Sequence, residues 1–486
     1  MKLPRLLQKR AMLTPASLAL ITENRRWTFQ EMHDEVKKMA AHISQFDAEQ
    51  AHAACFIENK AEAVFFFHAC QYTGMVAVPL NMRLTEEELV WQMKEAECSI
   101  LYYTKGYEEK ALHAARCLQI TACAIEDIVD KTHCAALNND EMIDSDAPAT
   151  IMFTSGTTGQ PKGVCLTWGN HYWSAVNAAL QSGFSEQDIW YTSLPLFHVS
   201  GFSSLIKSVV SGLSIYLDAR FQPERVWQLI ECGEVTHISV VHKMMEDLLA
   251  VADGKEAPPS LRQVLIGGGS TPWELIHEAY DLKWPLTVSY GMTETASQVV
   301  SVDISEQTPR GTAGKPMLMN EVCICQPDGK VLHTGQEGEL WVKGPTVFNS
   351  YVNAASTKTE EGWFPTGDIG KLDEDGYLYV LDRRSDMLIS GGENVYPAEI
   401  EHTLAAHPAV EACGVSKAVD DKWGEVPVAY LVLKQSIGSQ ELRAWLKPRL
   451  ASYKHPKYMY TVQSLPRNAT GKLQRHLLKT LQKTEI

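Results

Sequence analysis

The chain has 486 residues, of which 45% are apolar and 21% charged, and its formal net charge at pH 7 is -15. This length exceeds what one hydrophobic core usually serves, so we expect a globular protein of two or three domains. The acidic balance argues against general nucleic-acid binding, and no apolar run is long enough for an integral membrane segment.

The N-terminus and the cysteines both predict a cytoplasmic protein. Charges are scattered among the leucines of residues 1–10, which leaves no apolar core for a signal peptide. The eleven cysteines are an odd number without C-x-x-C spacing, which is typical of a reducing compartment. The sequence leaves open whether the chain forms a homo-oligomer.

The first third of the chain alternates helix and strand patterns. Residues 28–31 and 85–88 are capping boxes, in which a threonine and a glutamate three positions later satisfy backbone groups at a helix start. Apolar runs at 55–57 and 75–80 predict buried strands. This order predicts an α/β fold whose mixed, mostly parallel sheets are covered by helices.

A loop rich in glycine and hydroxyl groups follows the apolar segment 149–153, which predicts a buried strand. The loop contains Thr154, Ser155, Gly156, Thr157, Thr158, Gly159 and Lys162. Glycines let backbone N–H groups converge on a phosphate, hydroxyls add donors and the lysine adds positive charge. The loop is not a Walker A sequence, because Gly163 stands where serine or threonine should follow the lysine. It predicts an anion site, with a flexible surface linker as the alternative.

Three further segments join a predicted strand to side chains or glycines suited to a nucleotide site. The strand at 189–193 leads to His198, which by itself could equally be a structural histidine in a turn. The strand at 264–266 ends in glycines that include Gly268 and Gly269, where a ligand approaches the backbone or the turn is simply tight. The third segment contains Ser289, Tyr290, Gly291, Met292, Thr293 and Glu294. In it, Tyr290 offers a ring face for adenine, Thr293 a donor for the α-phosphate and Glu294 an oxygen ligand for Mg²⁺.

Beyond residue 303 glycine and proline become frequent, and short strand patterns alternate with turns. This predicts an antiparallel, barrel-like part at about 303–383 with one of its strands at 330–332. A charged junction near Arg383 leads into a smaller α+β segment. Its predicted elements are helices at 397–406 and 440–450 and strands at 410–415 and 426–433. We therefore predict a large N-terminal domain at 1–383 and a small C-terminal domain at 384–486.

These motifs, in this order, resemble the signatures of the adenylate-forming enzymes, the superfamily of acyl- and aryl-CoA synthetases and peptide-synthetase adenylation domains. The matching segments are 154–164, Y-G-M-T-E at 290–294, T-G-D at 366–368, the glycine loop at 390–401 and P-R-x-x-x-G-K at 466–472. The resemblance covers nearly the whole chain. It implies that ATP, Mg²⁺ and coenzyme A are co-substrates of an AMP-forming acid–thiol ligase.

The resemblance also implies roles for single residues of the large domain. The loop from Thr154 to Lys162 would hold the β- and γ-phosphates, and Gly268 and Gly269 would lie against adenine. Asp368, whose carboxylate only accepts hydrogen bonds, would bind both ribose hydroxyls. His198 would gate the route to the substrate carboxylate.

In the C-terminal part the resemblance implies a mobile domain that presents a different surface in each half-reaction. Arg383 would reach the ribose and phosphates, and Lys472 would bridge the substrate carboxylate and the α-phosphate. Gly391 and Gly392 would line the tunnel of the thiol chain. The hinge departs from the family pattern, because Ser385 stands where lysine or aspartate is usual.

Within the superfamily the chain most resembles the o-succinylbenzoate CoA ligases of menaquinone synthesis. The compact length, the opening residues 6–10 with 13–15, and Trp27-Thr28-Phe29 carry this resemblance. It implies adenylation of o-succinylbenzoate with release of pyrophosphate, followed by acyl transfer to CoA. The alternatives are another aryl or medium-chain acyl CoA ligase, a stand-alone adenylation enzyme that loads a carrier protein, and a non-catalytic nucleotide sensor. The donor for a second substrate carboxylate is not identified by the sequence.

Overall fold

The structure is a computed structural model that describes residues 1–46, 51–129, 142–154, 161–269, 271–383, 386, 388–390, 393–420, 423–450, 452–467, 471 and 473–486. In these residues the strands are β1 Lys2–Leu3, β2 Leu18–Ile21, β3 Arg26–Thr28, β4 His52–Phe56, β5 Val76–Pro79, β6 Cys98–Tyr103, β7 Thr121–Ala124, β8 Ile143–Asp144, β9 Pro148–Thr154, β10 Lys162–Thr167, β11 Ile189–Thr192, β12 Ser214–Leu217, β13 His237–Val240, β14 Gln263–Ile266, β15 Leu286–Met292, β16 Ser297–Asp303, β17 Lys315–Pro316, β18 Glu321–Cys325, β19 Gly338–Lys343, β20 Ser350–Tyr351, β21 Phe364–Leu372, β22 Leu378–Arg383, β23 Leu388–Ser390, β24 Glu393–Val395, β25 Val410–Asp420, β26 Gly424–Leu433, β27 Tyr458–Thr461 and β28 Thr484–Glu485. The α-helices are α1 Leu6–Leu13, α2 Phe29–Ile43, α3 Ala61–Thr73, α4 Glu86–Glu95, α5 Glu108–Leu118, α6 Glu126–Val129, α7 Trp168–Ser182, α8 Val199–Ser211, α9 Pro223–Glu231, α10 His242–Ala252, α11 Trp273–Asp281, α12 Pro397–Ala405 and α13 Ser439–Leu446.

Two large mixed sheets dominate the first 300 residues, which confirms the predicted α/β architecture. The seven-stranded sheet has the order β20-β10-β9-β5-β4-β6-β7, and the nine-stranded sheet has the order β17-β16-β15-β14-β13-β11-β12-β2-β3. The pairs from β9 to β7 and from β15 to β2 are parallel. Antiparallel pairs occur only toward the sheet edges, which is common in doubly covered sheets.

Capping boxes fix the starts of several helices in this part. Thr28 accepts from the backbone N–H of Glu31 at the start of α2, and Thr85 does the same for Glu88 at α4, as predicted. The sequence interpretation missed a third box, in which Thr167 and Asn170 begin α7. A box of this kind satisfies two backbone donors that a helix start otherwise leaves without partners.

One large hydrophobic core joins the two sheets through the helices between them. It contains apolar side chains from α2, α3, α7 and α8 together with strand residues of both sheets. Aromatic contacts hold this core together: the rings of Phe67 in α3 and Phe202 in α8 lie 5.2 Å apart, and those of Phe66 in α3 and Tyr102 in β6 lie 4.7 Å apart. Among the described residues, no helix has the length and apolar character needed to span a bilayer.

The part after residue 303 forms a four-stranded antiparallel sheet in the order β18-β19-β21-β22. The predicted strand at 330–332 is wrong, because Val331 makes only an isolated bridge to Cys325. The turn before it accounts for this, since Gln326 N–H donates to Lys330 O and the chain reverses at once. This sheet lies against the end of β16 through Gly314, which bridges to Leu378.

The last hundred residues form a separate six-stranded sheet in which β25 and β26 make a long hairpin. The predicted helix α12 is confirmed, while the predicted strand at 410–415 extends to Asp420 because its partner continues. The helix predicted at 440–450 is too long and ends at Leu446. Pro448 explains the shorter helix, because proline has no backbone N–H with which to continue the helical hydrogen bonds. This sheet has its own core, built on α12, α13 and the hairpin.

Candidate functional site

A cleft of about 1720 Å³ opens where the large sheets, the antiparallel part and the C-terminal sheet meet. Its size exceeds the usual range of about 300–1,000 Å³ for a single small ligand, so several reactants can fit together. The predicted site residues that line it and are described by the structure are Thr154, Lys162, His198, Gly268, Ser289, Gly291, Met292, Thr293 and Glu294. The structure therefore brings together motifs that are far apart in the sequence.

The glycine and hydroxyl loop connects the two strands of an antiparallel hairpin. Thr154 ends β9, Lys162 begins β10, and the two residues lie opposite each other in the pairing register. Residues Ser155, Gly156, Thr157, Thr158 and Gly159 lie outside the described part of the chain. Both hairpin ends line the cleft, and Lys162 is exposed there. The hairpin thus places one cation, the ammonium of Lys162, at the cleft.

The ends of β14 and β15 form the floor of the cleft beside that hairpin. Ser289 Oγ donates to Ile266 O at 3.2 Å, and a Cβ on Gly267 would lie 3.0 Å from the same hydroxyl. Gly268 has a positive φ of 80°, which glycine adopts without strain. Gly269, also predicted at this site, is exposed and does not line the cleft.

Tyr290 and Asp368 are joined across two sheets. The Tyr290 hydroxyl donates to Asp368 Oδ2 at 2.7 Å, and the carboxylate side chain is 5% exposed. Arg383 lies opposite Asp368 in the pairing of β21 with β22, although its side chain is outside the described part. The three predicted ribose and nucleotide ligands therefore share one corner next to Gly367, which lines the cleft.

Glu294 follows β15 in a short 3₁₀ turn with Thr293 and lies at the cleft wall. Its Oε1 accepts from the Tyr351 hydroxyl at 3.0 Å, and no described residue donates to its Oε2. Among the described residues, no cluster of three or more metal-ligating side chains exists. Mg²⁺ usually binds one or two carboxylates together with phosphate oxygens and water. The carboxylate of Glu294, with one oxygen that accepts no hydrogen bond from the described residues, fits this ion.

His198 sits where the chain turns from Pro195 into α8. Its backbone N–H donates to Pro195 O at 3.0 Å, and its carbonyl accepts from Phe202 N–H at 2.9 Å. The ring is half-buried, and its Nε2 has no hydrogen-bond partner among the described residues. Burial lowers the pKa of His198 to about 4, so the ring is neutral near pH 7. It lines the cleft as an uncharged side chain.

One face of α8 contributes to the lining of the cleft. Ser200, Ser203 and Lys207 lie at helical spacing on that face and line the cleft, as do apolar side chains such as Leu265 and Phe221. Lys207 is 2% exposed. This arrangement places one buried cation in the lining of the cleft.

No described carboxylate pairs with the Lys207 ammonium, which instead lies 4.6 Å from the centroid of the Trp190 ring. Burial alone lowers the pKa of Lys207 to about 8, because desolvation disfavours the charged form. A buried lysine without a counter-ion is costly to the fold. Such a residue in the lining of a cleft is a candidate partner for an anionic ligand.

The C-terminal motif at 466–472 is described at residues 466–467 and 471, and Leu473 follows it. Arg467 Nη1 donates to Gly471 O at 2.8 Å, Arg467 bridges to Leu473, and Gly471 has a positive φ of 82°. Arg467, Gly471 and Leu473 all line the cleft. Lys472 itself lies outside the described residues, as do Gly391 and Gly392, so their predicted roles stay predictions.

Two residues at the site were missed by the sequence interpretation. Lys207 is the only aspartate, glutamate, lysine or arginine from residue 189 to 217, and that isolation is the signal that could have identified it. Tyr351 gave no such signal, because its contacts with Glu294 and Lys162 depend on the folded sheet.

Comparison with known proteins agrees with this geometry. The sequence model of the AMP-binding enzyme family matches residues 7–352, and that of the AMP-binding enzyme C-terminal domain matches residues 399–472. The 2-succinylbenzoate–CoA ligase of Bacillus velezensis is 43% identical over 489 residues, which covers 99% of each chain. The structure of o-succinylbenzoate CoA synthetase from Bacillus subtilis in complex with the acyl-adenylate intermediate OSB-AMP is 42% identical, covers 100% of both chains and gives a TM-score of 0.94. The same Bacillus subtilis enzyme in complex with ATP and magnesium ion gives a TM-score of 0.91 at 42% identity and covers 99% of this chain and 100% of that chain.

Proposed function

The chain belongs to the AMP-binding enzyme family. We propose that it joins 2-succinylbenzoate to coenzyme A in a reaction that cleaves ATP to AMP and pyrophosphate. In the first step a substrate carboxylate oxygen attacks the α-phosphorus of ATP and the bond to pyrophosphate breaks. In the second step the CoA thiolate attacks the acyl carbonyl and AMP leaves with the bonding electrons. The single observation that carries the proposal is 43% identity to a 2-succinylbenzoate–CoA ligase over 99% of both chains.

The two steps answer a chemical problem that the residues of the cleft are suited to solve. A carboxylate does not react with a thiol at neutral pH, whereas a mixed anhydride with AMP has a good leaving group. In the first step both reactants are anionic, so the site must neutralise charge and fix their geometry. We assign Lys162 and Thr154 to the β- and γ-phosphates and Thr293 to the α-phosphate. Glu294 would hold Mg²⁺, which supplies charge neutralisation to the phosphates when bound.

Recognition of the nucleoside falls to the corner where Tyr290 meets Asp368. The 2.7 Å bond from the Tyr290 hydroxyl orients the carboxylate, which is an acceptor for two ribose hydroxyls. The glycine-lined end of β14, including Gly268, leaves the backbone accessible to an adenine ring. These assignments extend the residue roles predicted from the sequence.

Lys207 is our assignment for the second carboxylate of the diacid. Its side chain is buried, lines the cleft and has no described carboxylate partner. A substrate anion would repay the desolvation that this cation suffers in the empty protein. An apolar wall with one buried cation favours an aryl diacid over the medium-chain acyl groups of the alternative ligases.

We further propose that the chain divides at about residue 383 into a body and a mobile C-terminal domain. Arg475 supports this, since it pairs with Asp386 next to the boundary at 2.7 Å and with Glu401 in α12 at 2.7 Å. These pairs tie Arg475, three residues after Lys472 in the sequence, to other residues of the proposed C-terminal domain. Rotation of the domain would then carry Lys472 away from the cleft and bring the glycine loop at 391–392 toward it.

The test is acid-dependent ATP–pyrophosphate exchange across a panel of acids, followed by addition of CoA or a carrier protein. The panel includes 2-succinylbenzoate, its analogue with hydrogen in place of the second carboxylate, and medium-chain fatty acids. We expect exchange to be strongest with 2-succinylbenzoate and thioester to form with CoA. A preference for a fatty acid, transfer only to carrier protein, or no exchange with any acid would refute the proposal.

A cytoplasmic location completes the proposal. The cysteines that the structure describes are all free, in agreement with a reducing compartment. Fractionation of the native host with detection of the chain in the cytosolic fraction would test this location.

A further inference from the structure

We propose that Tyr351 is a positioning residue that couples the carboxylate of Glu294 to the ammonium of Lys162. This inference rests on the proposed function, since both groups gain their roles only when a nucleoside triphosphate and Mg²⁺ bind the cleft. It goes further by assigning a third residue that touches neither the acid nor the adenine. Tyr351 would hold the metal ligand and the phosphate-binding cation at a fixed separation.

The hydroxyl and the ring of Tyr351 make different kinds of contact, the hydroxyl with Glu294 and the ring with Lys162. Its hydroxyl donates to Glu294 Oε1 at 3.0 Å. Its ring lies beside the Lys162 ammonium, whose Nζ is 5.2 Å from the ring centroid. Hydrogen bonds to ionised carboxylates are stronger than neutral ones, and cations within about 6 Å of an aromatic centroid are attracted to the ring. Both contacts therefore act on charged groups.

The backbone of Tyr351 is fixed on the side of the phosphate loop. Tyr351 pairs with Val164 in β10, and Val352 N–H donates to Gly163 O at 2.8 Å. A Cβ on Gly163 would lie 2.9 Å from Val352 Cγ2, so only glycine allows this close approach without displacing the side chain. The segment therefore cannot shift relative to the residue that follows Lys162.

The same segment is also fixed on the side of the metal ligand. Phe348 N–H donates to the backbone carbonyl of Glu294 at 2.8 Å. Asn170, buried at the start of α7, donates from Nδ2 to Pro345 O and Val347 O at 2.9 and 3.1 Å. The segment 345–352 thus connects the surroundings of Glu294 with the β9–β10 hairpin. Within it, the side chain of Tyr351 contacts both Glu294 and Lys162.

The coupling predicts that the hydroxyl and the ring of Tyr351 make separate contributions to ATP affinity. The hydroxyl orients the carboxylate of Glu294, which would hold the ion, so it should affect only the gain in affinity that Mg²⁺ provides. The ring positions Lys162 against the phosphates, and it should affect ATP binding even without metal. AMP lacks the β- and γ-phosphates, so its affinity should depend on neither.

The experiment measures equilibrium binding of ATP and AMP to the full chain by calorimetry, in EDTA and in saturating Mg²⁺. The variants are Tyr351→Phe, which removes the hydroxyl, and Tyr351→Leu, which removes the ring as well. The matched control is Tyr379→Phe, because the Tyr379 hydroxyl also donates to a carboxylate, Asp373 Oδ2 at 3.1 Å, outside the cleft. Thermal unfolding of each variant checks that the fold is retained.

Loss of a hydrogen bond to a charged group should reduce the Mg²⁺-dependent gain in ATP affinity about tenfold in Tyr351→Phe, with the affinity in EDTA unchanged. Tyr351→Leu should in addition weaken ATP binding in EDTA by about two- to fivefold, the range of an exposed cation–π contact. AMP binding and the Tyr379→Phe control should match the wild type. Because Tyr351→Phe preserves the ring packing, it remains informative if the leucine variant does not fold.

Several results would overturn the inference. A Mg²⁺-dependent gain that is equal in Tyr351→Phe and the wild type would refute it while leaving the ligase proposal intact. An equal loss of AMP and ATP affinity would indicate general damage instead of coupling. A wild-type chain that does not bind ATP, or binds it without regard to Mg²⁺, would overturn the inference together with the assigned role of the site.

Discussion

Replacing Lys207 by methionine should stabilise the empty protein. Burial lowers the pKa of this lysine from its ordinary 10.5 to about 8, and a difference of that size corresponds to about 3 kcal/mol. Because the folded-state pKa is the lower one, the penalty is fully present below pH 8, where the ammonium is charged in both states. It declines as the pH rises from about 8 to the unfolded pKa. Methionine has a similar length and carries no charge, so it should fit the same space.

The same substitution should weaken binding of the diacid. Loss of a charge-assisted contact costs about 1.5–3 kcal/mol, so the KM for 2-succinylbenzoate should rise about ten- to a hundredfold. The analogue that lacks the second carboxylate should bind both proteins equally. In the wild type the affinity for the diacid should fall as the pH rises above 8 and Lys207 loses its proton, whereas the variant should show no such fall.

Urea denaturation between pH 6 and 10 and ATP–pyrophosphate exchange with both acids measure these effects. The control is Lys255→Met, since Lys255 is exposed and pairs with Glu231 at 2.8 Å, a surface contact worth about 1 kcal/mol or less. If Lys207 were needed only for the fold, its replacement would destabilise the protein. A variant that is more stable but binds the diacid more weakly therefore identifies Lys207 as a ligand partner. A destabilised variant, or an equal rise in KM for both acids, would refute the reasoning.

Three further outcomes are expected. Lys472→Ala should cut the adenylation rate by on the order of 10²–10³, as loss of one preorganised charge does, while thioester formation from a supplied acyl adenylate survives. Single-turnover assays of each half-reaction measure the two rates. An equal loss in both would contradict the division of roles. His198→Asn should leave the pH profile of kcat between pH 5 and 8 unchanged, because burial already holds the pKa of His198 at about 4; a step that disappears in the variant would show that the histidine titrates. Gly201→Ala should lower the unfolding temperature by several degrees, since its Cβ would lie 2.3 Å from Pro195 O, and about 1–3 kcal/mol of overpacking is expected; an unchanged melting curve would show that the turn can yield.

The sequence predicted those features that depend on neighbours along the chain. The capping boxes at Thr28 and Thr85 and the strand before Thr154 follow from local pattern, and the structure confirms them. The end of the helix near Pro448 is also encoded locally. Proline has no backbone N–H, so it ends the helical hydrogen bonds although the apolar spacing extends further.

Other features depend on contacts that local pattern does not encode. The length of β25 is set by its partner β26, and the polar Ser416 gives no indication that the strand continues. Tyr351 contacts Glu294 only when β20 pairs with β10 in the folded sheet. Lys207 was detectable in principle, but a single lysine is most often a solvated surface charge, and its burial follows from the packing of α8.

The position of Lys207 has a consequence for how this scaffold can diverge. The part of the cleft that we assign to the acid is lined by one face of α8, through Ser200, Ser203 and Lys207, while the groups assigned to phosphate chemistry belong to other elements. A gene can therefore acquire a new acid preference by changing a few codons of a single helix and inherit the activation machinery unaltered. The same helix also contributes Phe202 and Leu205 to the main core, so each such change is limited by what the interior tolerates.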